Sequence, residues 1–179
     1  PAPAVSATPP SRSLGWSAIE IAVQDPYSLA RSLANTPFRI VVPPRALPWN
    51  ADLHAMQALG PDGELLYFTR LPAEPLVLDL RGARCAVDRA FIAVHGCRDL
   101  EATLQFYRER LGMPTLDGGT TVVQIINERF ALPADHLTQL GVVKMAQDFL
   151  IELDAYPPTA VPRTQAEGWL PPGISMVSF

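Results

Sequence analysis

A chain of 179 residues that is 48% hydrophobic is long enough to bury a sizeable core, either as one domain or as two small modules sharing one. Its formal net charge of −4 is interspersed rather than blocked, so no basic footprint for nucleic acid or an anionic membrane is visible. Two cysteines, Cys85 and Cys97, stand in no CxxC or Cys/His spacing, which argues against a disulfide framework or structural zinc and fits a reducing cytoplasm.

The opening Pro1 to Ser13 is rich in Pro, Ala and Ser without a basic or apolar leader region, and residues 1–15 are expected to form a disordered arm. From Trp16 two segments share one grammar: an alternating apolar strand, an Asp, then a short amphipathic helix. In the first, Ile19, Ile21 and Val23 alternate with Ala18, Glu20 and Ala22, and Asp25 caps a helix from Pro26 to about Ala34 carrying Leu29, Ala30 and Leu33. Strand-like runs follow at Phe38 to Val42, Leu53 to Ala58 and Leu65 to Thr69, the last two joined by the turn Gly60-Pro61-Asp62-Gly63.

Residues 71–88 read as a linker with a short strand at Leu76 to Leu80. The second segment, residues 89–155, repeats the pattern: the strand around Phe91 to Val94, then Asp99 and a helix with Leu100, Leu104, Tyr107 and Leu111 on one stripe, stopped by Gly112. Strands are expected at Thr121 to Asn127 and Val142 to Asp154. Along the latter, Phe149, Ile151 and Leu153 oppose Asp148, Leu150, Glu152 and Asp154, and the polar face should line a cavity. Residues 156–179 read as a Pro-rich wrap ending in an apolar strand, which is how the start of a further module would look.

The string Asp99-Leu100-Glu101-Ala102 through Phe106-Tyr107 to Leu111-Gly112, behind the strand Ala90 to Val94, resembles the opening of a module of the vicinal oxygen chelate superfamily. That group includes glyoxalases, bleomycin-resistance proteins and extradiol dioxygenases. Gly60 to Phe68 is similar to the hairpin that closes such modules. The resemblance implies an α+β fold, in which two βαβββ modules (16–70 and 89–155) form a curled mixed sheet around a cleft with the helices outside. It also implies a homodimer.

Four metal-ligand positions implied by the resemblance fall on Ala18, Tyr67, Ile92 and Glu152. Only Glu152 matches, and Ala and Ile have no lone pair to offer. Strand parity turns His95 toward the helix, His136 falls in a loop, and His54 shares a face with Met56 and Ala58. The expectation is therefore a small-molecule-binding protein of the glyoxalase or bleomycin-resistance type without the usual metal. Glu152, Glu20 and Tyr67 are its site residues: two carboxyls suited to general base work and a phenol suited to hold a substrate oxygen. The alternatives are a metal-dependent lyase, isomerase or dioxygenase with a divalent metal at Glu152, and a non-catalytic interaction domain. Gln124 and the loop residues Trp16, Trp49 and Trp169 are secondary candidates for the cleft wall.

Overall fold

A computed structural model describes residues 12–72, 80–145 and 149–178. Its elements run β1 (Gly15–Val23), α1 (Pro26–Leu33), β2 (Arg39–Leu47), β3 (Asn50–Leu59), β4 (Leu65–Arg70), β5 (Val87–Cys97) and α2 (Leu100–Gln105). Then come β6 (Thr115–Thr121), α3 (Gln124–Phe130), β7 (Thr138–Lys144) and β8 (Leu150–Ala155). The strands make one mixed sheet in the order β2-β3-β4-β1-β5-β8-β7-β6. The sequence repeat thus becomes a spatial one, with β1 and β5 antiparallel at the centre and each flanked by the parallel last strand of its own half.

Alternation along the strands divides the core into two sides. On the outer side, Val23 and Ile21 join Met56, Ala58 and Phe68 beneath Leu29, Ala30 and Leu33 of α1. Ile151 and Leu153 do the same beneath Leu100 and Leu104 of α2. The Asp25 carboxylate accepts from the N–H of Tyr27 at 2.9 Å, and Asp99 accepts from Ala102 at 2.9 Å. Each cap satisfies a first-turn donor. On the concave side, Ala22, Leu53, Phe91 and Leu150 form one apolar cluster, and Ala18, Leu65, Tyr67 and Val94 belong to another.

Several expectations need correction. The run Thr121 to Asn127 is not a strand: β6 ends at Thr121 and α3 begins at Gln124. Ile125 and Ile126 are both buried, which a half-buried strand with opposite-facing neighbours would not allow, and Ala131 in the left-handed region ends the helix. The run Val142 to Asp154 divides into antiparallel strands β7 and β8, closed where the N–H of Met145 donates to Phe149 O at 2.9 Å. Leu111 leaves the α2 stripe and is 53% exposed, because Phe106–Arg110 forms a π-helical turn whose wider winding rotates it outward.

Ser13, assigned to the arm, is buried and bridges Val161, since Leu14 N–H donates to Val161 O at 2.9 Å. Residues 1–11 of the arm and most of the short strand at Leu76 to Leu80 lie outside the described residues. Residues 173–178 are irregular rather than a strand; the carbonyl of Ile174 is taken by the Arg163 guanidinium at 2.7 Å instead of by a neighbouring strand. Among the described residues no helix is long and apolar enough to cross a membrane.

Candidate functional site

The concave face encloses a cleft of about 400 Å³, and Glu20, Tyr67 and Glu152 all line it. Register places them. Glu20 sits on β1 between Tyr67 of β4 and Ile92 of β5, while Glu152 on β8 lies between Val94 of β5 and Val142 of β7. The two carboxyls therefore face each other diagonally across β5. Period-two alternation sends both into the cleft while Ile151 and Leu153 go to the helix side.

Glu20 is buried, and the Thr69 hydroxyl donates to its Oε1. Burial pushes this carboxyl up to about 8, the Glu152 charge adds to the shift, and the Thr69 bond partly opposes it. Glu152 keeps an accessible edge on the cleft although protein atoms crowd it. Burial holds it well above the usual carboxylate range, and the charge of Asp154 raises it further.

Asp154, two residues on and on the same face, is fully buried, and neither of its oxygens has a donor. Two ionised carboxylates cannot bond each other, so Glu152 and Asp154 make a hydrogen bond only when one of them carries a proton. Burial raises Asp154 to about 7, the Glu152 bond opposes the rise and Glu20 adds to it. The Tyr67 phenol is also raised, first by burial and then by Asp154, and stays protonated.

Other candidates separate by face. Gln124 lines the cleft, but from α3 and with its amide donating to Glu128 at 2.7 Å. Trp49 stands at the cleft wall with 60% of its surface exposed. Trp16 packs edge-on against His95, at 5.1 Å between centroids, and Trp169 is exposed. His54 accepts or donates to the Tyr27 hydroxyl at 3.0 Å on the α1 side, and His136 is exposed. Thr69 and Asp154 are not among the three site residues the sequence points to, although Asp154 stands on the polar face expected to line the cavity. Each lies two residues beyond a named site residue, Tyr67 and Glu152, and that spacing was the available signal.

Of the four metal-ligand positions that the sequence resemblance implies, two carry no donor atom. Ala18 is fully buried in the apolar cluster that contains Val94, Ile125 and Ile126, so α3 covers this end of the concave face. Ile92 is a hydrocarbon as well, and only Tyr67 and Glu152 carry oxygen. Among the described residues, no three His, Cys, Asp or Glu side chains converge as a metal ion requires.

No protein-family model and no curated protein matches the chain. Solved structures do. Glyoxalase I from Zea mays superimposes with a TM-score of 0.57 at 18% identity, over 85% of this chain and 46% of that one. A methylmalonyl-CoA epimerase does so with a TM-score of 0.51 at 13% identity, over 81% of this chain and 98% of that one. The chain spans about half the length of the maize enzyme. With paired βαβββ modules around a central cleft, it has the vicinal oxygen chelate fold.

Proposed function

We propose that this protein binds a small organic molecule in the cleft between its two modules, without the metal ion that the superfamily uses. The supporting observation is the wall of the cleft: buried Glu20 and part-buried Glu152 line it, while hydrocarbon side chains occupy half of the implied ligand set. A cleft of about 400 Å³ has the size and the largely apolar lining of small-ligand sites, with a few convergent polar groups to set orientation. The fold hosts both binding proteins and enzymes, so the reading rests on these side chains rather than on architecture.

A second reading, metal-free proton transfer, is favoured by Glu20 alone. A carboxyl held near 8 is matched to abstracting a proton at neutral pH, and the neutral Tyr67 phenol beside it could donate to an oxygen that gains charge. The same two groups in a non-catalytic site would simply hold a polar ligand.

The test is a screen of small organic molecules by ligand-observed NMR in the presence of EDTA, repeated with the Glu20→Gln/Glu152→Gln double variant. Ligands are expected that bind the wild type in EDTA and weaken in the variant. If every ligand required added metal, or none responded to the variant, the proposal would fall. Turnover of a bound ligand that Glu20→Gln abolishes would establish the second reading.

A further inference from the structure

The charges around the cleft are strongly one-sided in depth. Its embedded acids are the carboxyls of Glu20 and Glu152, which line the wall beside the Tyr67 phenol, and Asp154, buried two residues beyond Glu152 on the same face of β8. Arg45 and Asp117 also border the cleft, but both are exposed near its mouth. Among the described residues no Lys, Arg or His pairs with any of the three inner acids.

Asp154 has both oxygens buried and without a donor. A buried carboxylate left in that state costs several kcal/mol, unless it takes up a proton or meets a cation. The Thr69 hydroxyl donates to Glu20, which marks that carboxyl as an acceptor. The remaining walls are largely hydrocarbon, including Leu53, Phe91 and Leu150, with the neutral polar side chains of Gln57, Tyr67, Thr121 and Gln124 among them.

We infer that the molecule held in this cleft is an organic monocation, a protonated amine with an apolar body, whose ammonium group sits between Glu20 and Glu152. An ammonium brings up to three N–H donors and no acceptor, which complements the two carboxyls that line the cleft and the third buried beside Glu152. The hydrocarbon body lies against Leu53, Phe91 and Leu150, with the Trp49 ring at the mouth. An anionic ligand would oppose the ionisation of these acids, and a neutral ligand would leave them protonated, whereas a cation gains from their charge. This inference rests on the binding reading above.

The experiment is calorimetric titration at pH 7.5 with three near-isosteres: 2-(1-naphthyl)ethylamine, 2-(1-naphthyl)ethanol and 1-naphthylacetate. The amine is expected to bind about tenfold or more tighter than the alcohol, with the carboxylate weakest. Glu20→Gln and Glu152→Gln, each checked for a cooperative thermal transition, should bring the amine to within about twofold of the alcohol. Binding of the alcohol or carboxylate as tightly as the amine would overturn the cation assignment and leave the binding reading standing. So would failure of all three while the NMR screen returns other ligands of the cleft. If neither experiment yields a ligand, both readings fall.

Discussion

The Thr69 hydroxyl on β4 donates to the Glu20 carboxyl on β1, so the most embedded acid of the cleft wall is held by one hydrogen bond from a neighbouring strand. Replacing Thr69 with Val keeps the shape and removes the donor. The variant should lose about 1–3 kcal/mol at pH 9, where Glu20 is ionised, and clearly less at pH 6, where it is protonated. Urea unfolding at the two pH values checks this, and an equal loss at both would show that the bond does not serve the charged form.

The raised carboxyls set the sign of the pH dependence. Glu20 moves from 4.5 to about 8 and Asp154 from 3.8 to about 7 on folding, so the folded protein binds more protons than the unfolded chain between those limits. Stability contributed by these groups is complete below about pH 4 and is lost as pH rises through 7 and 8, by a few kcal/mol in all. The melting temperature should therefore fall from pH 5.5 to pH 9, and Glu20→Gln should flatten part of that slope. A melting temperature that rises over this range would contradict the assignment.

Gly96 on β5 stands against the Tyr156 ring, where an added Cβ would come within 2.5 Å of a ring carbon. Both residues are buried, and Tyr156 belongs to the cluster under α3. Gly96→Ala should cost about 1–3 kcal/mol by overpacking, read as a lower urea midpoint with an unchanged slope. Asp99→Ala, which removes only the α2 cap, should cost about 1 kcal/mol and leave ligand binding intact.

Much of this was legible because period-two alternation and capping are local. Asp25 and Asp99 announced their helices, and the alternation around Glu20 and Glu152 sent both to the concave face. Tertiary context decided what the pattern could not. Ile125 and Ile126 suit a strand or a helix equally well, and only the cluster containing Ala18 and Val94 shows that they form a helix covering that end of the cleft. Leu111 kept its place in a 3.6-residue stripe on paper, but a π turn has a different period. Asp154 was on the expected face, yet its lack of a donor depends on every neighbour and has no signature in spacing.

The central claim is that buried carboxyls take the place of a metal centre at this cleft. Elemental mass spectrometry of the purified protein after growth with supplemented metals, alongside a Glu152→Ala variant, addresses it directly. Iron, manganese, zinc and nickel are all expected far below one equivalent in both proteins. Near-stoichiometric metal in the wild type that is lost in the variant would contradict it.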